Sequence, residues 1–534
     1  MAATQSSLLE RGIVDQIVSQ IDAATFDWTA FEGTYRGRSL ITRLMHIPHT
    51  LLNSAARPTP QSRQLAATAL LRLIPLIKTT SWDTSTYLQA VRYLDYALHP
   101  EQHLSKKEDE TMEAGSETEG VPDHDWVEEM KQLERQENGK LTVELTSYMS
   151  NLIKESIRLT FMALVQLNIK CGHYGVAIKQ YNNVREYSTT PAHQVELGLG
   201  ILETSLVFLN VTQLAGHITK LEAQLDRLHP STQSKVTAPL GDAQGITAGD
   251  LRASRENQAR SADVRRAVGI KIRVARGLLA LQNREFEKAA RELGEIGEEG
   301  GLGEWEGCAI STADIAVIVG LCVLATCSRD RIRTTLLDRT SFRAGVDESD
   351  KWVMDLVRAF MDASYSEVME ICKKAEPGLL LNPHLSASTT SLLKMIQTRS
   401  ITQYVLPFSS VKISIMSQAF GLSEGDMLIQ VEDLVAKKQV EGKIDLIDKI
   451  LVIQKKDERK DLFKNAWRVG TETTKSTMAA LLRMRLMEAN IVVDSKRGGS
   501  TAPIAISDGS IVVDDDIEVD GELEAASEGG LETE

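Results

Sequence analysis

The stretch from Ile401 to Lys456 constrains the fold of this 534-residue chain more than any other. Val411, Ile415, Met416 and Ala419 recur at helical spacing, and Gly421 can close the turn that follows them. Ser423 with Asp426 three residues on resembles a capping box. It predicts a second helix that carries Met427, Leu428, Val431, Leu434 and Val435 and ends near Lys437 and Lys438. Beyond it, Ile444, Leu446 and Ile447 face Ile450, Val452 and Ile453 across a turn at Asp448 and Lys449, which predicts two short strands. A helix-turn-helix followed by such a hairpin is a winged helix.

A winged helix either reads DNA or joins proteins, and the surface of its second helix separates the two roles. Base edges and phosphates call for Arg, Lys, Asn or Gln. Here Glu432 and Asp433 stand beside Gln430, Lys437 and Lys438, so no basic face forms. Protein joining is the expected role, and nucleic acid is disfavoured.

The rest of the chain is long enough for several domains and large cores. With 42% hydrophobic and 25% charged residues, its composition is that of an ordinary globular protein. The net charge of −14 is local, because ten acids and no Lys or Arg lie between Asp514 and Glu534. No run approaches the ~18 apolar residues of a membrane span, and MAATQSSLLERG has no apolar signal core, so an intracellular protein without a membrane partner is expected. Cys171, Cys308, Cys322, Cys327 and Cys372 are odd in number and mostly in apolar helical settings, which predicts reduced thiols.

Taken in order, residues 1–98 read as an N-terminal helical region. Leu8 to Ile21, a helix entered through Tyr35-Arg36-Gly37-Arg38, Ala66 to Ile77 and Tyr87 to Leu98 each need a partner for one face. Residues 99–125 are polar and acidic and read as a disordered insertion. Residues 126–310 read as a helical-repeat domain with loops near 229–257 and 294–307. A helix from about Val143 to Ile169, a turn at Cys171-Gly172 and a helix from Tyr174 to Tyr187 form one hairpin, in which Tyr174, Ala177 and Tyr181 share a face. Arg266 to Gly294, broken near Asn283, repeats the pattern with Phe286, Ala289 and Leu293. Helices at Val195 to Leu209 and Gln213 to Leu228 fall between them. The expected fold is therefore mostly α: a tetratricopeptide-like, right-handed helical-repeat solenoid leading into the winged helix. Ser311 to Ala325 is almost wholly apolar behind an N-cap and opens the 311–456 module, whose helical part (311–400) continues through Arg333 to Leu337, Lys351 to Asp362, Tyr365 to Glu376 and Pro383 to Ser400. The winged helix occupies 401–456. A long helix over Asp461 to Asn490 lies within a helical tail (457–494), followed by a disordered acidic tail (495–534). At about 1.5 Å per residue a helix of this length outreaches a small winged helix, which leaves apolar surface for other chains.

A solenoid, a winged helix and a long terminal helix in that order resemble the PCI-module family, which scaffolds the proteasome lid, the COP-9 signalosome and translation initiation factor three. Lys154 to Leu197, IAVIVGLCVLAT (Ile315 to Thr326), IQTRSITQYVLPFSSV (Ile396 to Val411) and MRLMEANIVV (Met484 to Val493) are similar to the signalosome's first-subunit family, across roughly Tyr35 to Asp494. The insertion before Trp126 and the loop after His229 depart from that family, and nothing is carried over to them. The resemblance implies a non-catalytic scaffold in an isopeptidase that removes Nedd8 from cullins and so regulates cullin-RING ubiquitin ligases. Its implied partners are other signalosome subunits, met through PCI winged-helix edges and a C-terminal helix bundle, with the N-terminal region near the cullin-RING ligase. Location in nucleus and cytoplasm is expected. A proteasome-lid subunit is the alternative of the same class; Ser188 to Pro191 and the helix ending in MEANIVV lean toward the signalosome.

Related metalloproteases bind zinc through His-x-His plus an acid. No two histidines here stand at i, i+2, so catalysis is expected in another subunit. His46 with His49, or His99 with His103, has no identifiable third ligand. Cys322 and Cys327 read as packing residues. GEEGGLGEWEG has neither GxGxxG spacing nor a P-loop Lys, and its glutamates oppose phosphate. No cofactor, metal or catalytic residue is expected. The expected interface residues are Leu446, Ile450 and Val452 on the wing, Leu482 and Leu486 on the terminal helix, and Arg36 and Arg38. With Arg43, these arginines make either a solvated face or a site for an acidic partner.

Overall fold

The computed structural model describes residues 27–52, 59–99, 122–211, 213–228, 248–299, 301–440, 442–453 and 458–489. The expected helix at Leu8 to Ile21, nearly all of the acidic insertion and the acidic tail lie outside them. Two units form, Met1–Lys455 and Lys456–Glu534.

Among the described residues, the first unit begins with α1 (Trp28–Thr34), α2 (Gly37–Leu52), α3 (Pro60–Thr80) and α4 (Thr84–Leu98). Asp27 caps α1 by accepting from the backbone N–H groups of Thr29 and Ala30 at 3.0 and 3.2 Å, and Thr59 caps α3 just before Pro60. Leu44, Ile47, Leu70, Leu73 and Tyr87 form a core of their own, which closes on Leu380 and Leu381 from far along the chain.

The repeat region comprises α5 (His124–Ser150), α6 (Lys154–Lys170), α7 (Tyr174–Tyr187), α8 (Pro191–Val207), α9 (Leu214–Leu228), α10 (Ala248–Gln282) and α11 (Phe286–Gly294), each packed on the next. The single helix expected from Val143 to Ile169 is two. The chain reverses at Asn151–Ile153, where Leu152 takes a φ of 55°. Antiparallel neighbours bury similar stripes, so helical periodicity runs through a reversal that no Gly or Pro marks. The expected loop to Asn257 is likewise helical from Ala248 onward. Ala177 and Ala289 sit fully buried at helix crossings, as their spacing predicts. Glycine does the same elsewhere: a Cβ added at Gly277 would lie 2.5 Å from Leu293, which lets α10 and α11 approach closely.

Helix α12 (Thr312–Thr326) starts in a full capping box between Ser311 and Asp314, and every residue from Asp314 to Ala325 is buried. Short helical segments at Arg329–Ile332, Arg333–Leu337 and Thr340–Gly345 lead to α13 (Lys351–Met361), α14 (Tyr365–Leu381) and α15 (Thr389–Val405). Helix α14 absorbs Pro377 and outruns its expected end. Residues 382–388 form turns rather than the start of α15.

The winged helix consists of β1 (Ser410–Lys412), α16 (Ile413–Phe420), α17 (Glu424–Ala436), β2 (Gly442–Asp445) and β3 (Ile450–Ile453), with sheet order β1-β3-β2. Gly421 ends α16 in the left-handed region, and the Ser423 hydroxyl accepts from the Asp426 backbone N–H at 3.2 Å. Two readings change. Val411 belongs to β1, where it pairs with Leu451, and not to the first helix. Leu446 and Ile447 lie in the wing turn, since β2 ends at Asp445. One continuous core runs from Val195 to Leu451, joining repeat, α12 to α15 and winged helix without a gap at residue 310. Each large apolar side chain in it contributes about 1.5–3 kcal/mol by leaving water.

The second unit contains α18 (Glu458–Glu488), a single described helix.

Candidate protein interface

The wing turn presents its apolar residues by construction. Asp445 Oδ1 accepts from the backbone N–H groups of Ile447 at 2.9 Å and Asp448 at 3.4 Å, and Lys449 takes a φ of 51°. Lys449 also bonds Glu424 of α17 at 2.8 Å, tying the turn to the helix-turn-helix. The turn holds Leu446 and Ile447 in solvent, 71% and 93% exposed. Ile447 was not among the expected interface residues. Its signal was present in the sequence, because two apolar residues directly before Asp448-Lys449 leave no room for both to face inward.

Strand β3 is central, so among the described residues its backbone pairs on both sides. Ile450 is half-buried beside Asp445, and Val452 is 47% exposed on the outer face opposite Lys443. The open edges belong to β1 and β2, and β2 carries exposed Lys443 and Asp445, the charges that discourage indiscriminate strand addition. An edge contact through this sheet therefore uses β2 or β1, while Val452 and the turn supply the apolar surface. On α17 the exposed face is acidic: Glu424, Asp426, Glu432 and Asp433 surround Ile429, and Gln430 is engaged with Gln397 at 2.9 Å. Such a face repels phosphate.

Helix α18 carries the second patch. Leu462, Phe463, Trp467, Val469, Met478, Leu481, Leu482, Met484 and Met487 are all more than half exposed, and Leu486 is half-buried. Charges gather on the remaining side at Lys464, Arg468, Glu472, Lys475 and Arg483. The apolar arc is wider than the stripe of a surface helix, which suits a helix covered by more than one neighbour.

The N-terminal arginines are used inside the chain. Arg38 pairs with buried Asp83, which also accepts from Thr86 and Ser85, and the Arg38 guanidinium lies 4.9 Å from the Phe208 ring centroid. Arg43, 3% exposed, bonds Asp314 at 2.8 Å and stacks 3.9 Å from the Tyr35 ring centroid. Tyr35 donates to the same carboxylate at 2.7 Å, and Asn382 donates to its other oxygen at 2.7 Å. Burial alone would raise the Asp314 carboxyl. Arg43 and the Tyr35 hydroxyl outweigh burial and hold it below the usual carboxylate range. Nearby, burial and then the Asp314 charge push the Asp350 carboxyl up to about 6. Arg36 alone is exposed, its backbone N–H held by the Gly307 carbonyl at 2.9 Å. The expected solvent-facing trio is thus one exposed arginine and two internal clamps, because the acids they need are supplied by Asp83 and Asp314.

Among the described residues, no group of three or more His, Cys, Asp or Glu is placed to hold a metal ion. Burial depresses His46 to about 4, keeping it neutral, and pushes the thiols of Cys171, Cys322 and Cys372 up to about 12. No helix among the described residues is long and apolar enough to cross a membrane.

Comparison with known proteins adds to this geometry. The family model described as 26S proteasome subunit RPN7 matches residues 123–335, and that of the PCI domain matches residues 370–455. The COP9 signalosome complex subunit 1 of Arabidopsis thaliana is 28% identical over 363 residues, covering 68% of this chain and 74% of the relative. Subunit 1b of Drosophila melanogaster is 28% identical over 379 residues, covering 70% and 65% respectively. Subunit 1 of Emericella nidulans is 26% identical over 483 residues, covering 88% and 84%.

Proposed function

Because the chain belongs to the PCI-domain family of COP9 signalosome subunit 1, we propose that it is a non-catalytic scaffold subunit of a signalosome. In this reading it supports removal of Nedd8 from cullins, and so the regulation of cullin-RING ubiquitin ligases, in nucleus and cytoplasm. The metalloprotease site lies in another subunit. The observation that carries the scaffold role is α18, whose large apolar side chains are exposed in two stretches, Leu462 to Val469 and Met478 to Met487. Sister subunits cover it in a shared helical bundle, while the winged helix meets a neighbour through the edge of its sheet, with Leu446 and Ile447 as apolar anchors. Exposed Arg36 remains for the cullin-RING side.

A tagged pull-down, with a cullin-deneddylation assay on the eluate and on the purified chain alone, tests this. The expected result is activity in the eluate and none in the lone chain. Substituting Leu446→Asp with Ile447→Asp should reduce recovery of neighbouring subunits; recovery at the original level would remove the wing from the interface. The match to the 26S proteasome family model over residues 123–335 favours one second reading, a proteasome-lid scaffold. Co-elution of proteasome subunits without deneddylase activity would establish that reading instead.

A further inference from the structure

A cavity of about 440 Å³ opens between α11, α12 and the short helical segments Arg333–Leu337 and Thr340–Gly345, away from every surface assigned above. Its depth is lined by Leu293, Leu302, Ile315, Val319, Val323 and Phe342, each less than a tenth exposed. Its mouth is charged. Exposed Arg291 and Arg331 both approach the one carboxylate of Glu287 at 3.6 Å, in ionic contact but beyond hydrogen-bond length. Two guanidiniums sharing one carboxylate leave a positive charge and several N–H donors for an incoming anion. One wall, Arg333–Leu337, winds as a π-helix, a rare conformation that recurs at functional sites. The cavity volume falls within the range of about 300–1,000 Å³ typical of small-molecule sites.

We propose that this cavity binds a free aliphatic monocarboxylate, with its chain among the apolar residues of the interior and its carboxylate at Arg291 and Arg331. The mouth suits a single anionic head. The nearby glycine-rich segment contributes Gly297 and Gly301 to the lining and offers no Lys to a polyphosphate. An apolar interior beneath a lining in which Arg291, Arg331 and Arg339 stand against Glu287 and Glu295 suits a monoanion with an aliphatic tail rather than a nucleotide.

The test is calorimetric titration of the full chain with hexanoate, octanoate and decanoate below their micelle concentrations, with octan-1-ol and ATP as comparisons. Expected are one saturable site, affinity rising about fourfold per methylene, octanoate preferred over octan-1-ol by about tenfold, and no ATP binding. Arg291→Gln with Arg331→Gln, both on the surface, should erase the preference for the acid while leaving the alcohol's affinity. Ala316→Phe, which fills the cavity, should abolish both. Cys327 lines the cavity and is half-buried, whereas half-buried Cys308 lies outside it. Decanoate should therefore slow iodoacetamide alkylation of Cys327 and not of Cys308, a readout that stands even if Ala316→Phe fails to fold. Absence of saturable binding, equal affinity for acid and alcohol, or unprotected Cys327 at saturation would each overturn the proposal.

Discussion

Helix α12 is apolar on every side and α18 along one wide arc, yet the first is buried from Asp314 to Ala325 and the second is exposed almost throughout, its apolar arc included. The difference lies in what surrounds them. Helix α12 has α11, α13 and α15 of its own chain against it, and a capping box that satisfies its first turn. Helix α18 belongs to a unit in which it is the only described element. An apolar surface is thus covered at home on α12 and left open on α18, which is the surface that the proposed bundle with other chains would cover.

This contrast can be broken most directly in α12. Leu321→Asp places an unpaired carboxylate in the core and should cost about 4–5 kcal/mol or more, leaving little folded chain in a denaturant titration; a normal transition would mean that α12 is not interior. Arg43→Met leaves Asp314 buried without its cation and should cost about 3–5 kcal/mol, much of it recovered by adding Asp314→Asn. Asp350 sharpens the same region through pH. Its carboxyl is raised to about 6 in the folded chain, so the folded state holds a proton that the unfolded chain releases. Wild-type stability should therefore fall as pH rises from about 4 to 6 through this group. Asp350→Asn should stabilise the chain at pH 7.5 by about 1–2 kcal/mol, after allowance for partial solvent screening. That gain should shrink toward zero as pH falls to about 4, and a gain independent of pH would assign it to packing instead. Asp314 acts oppositely, its contribution present above the ordinary carboxylate pKa and lost as pH falls through its lowered folded value. The smallest effect on stability belongs to α18. Leu482→Asp should change unfolding of the isolated chain by no more than about 0.5 kcal/mol while removing sister subunits from a pull-down. A large loss of stability would show that α18 is covered by its own chain.

Helical periodicity made most of the architecture legible, because each repeat helix buries one face and α12 all of them. The hairpin reversal at Leu152 was not legible, since a left-handed leucine carries no compositional mark. Strand β1 was hidden for a related reason: Val411 fits the spacing of the helix that follows it, and only pairing with β3 distinguishes the two. In the candidate interface, the apolar arc of α18 and the exposure of Leu446 could be read from local pattern. The fate of Arg38 and Arg43 could not, because Asp83 and Asp314 lie 45 and 271 positions away and nothing local announces the pairing.

Those separations also order events in time. Asp314 accepts hydrogen bonds from Arg43 and Tyr35, made 271 and 279 residues earlier, and from Asn382, made 68 residues later. At the ribosome's pace of about 5–20 residues per second, roughly 15–55 s separate synthesis of Arg43 from that of its counter-ion. During that interval α1 to α4 emerge with a cation whose counter-ion is not yet made and with Leu380 and Leu381, which close their core, still untranslated. The core around Leu44 and Leu70 is thus made long before the residues that seal it, and it stays open while most of the chain is added.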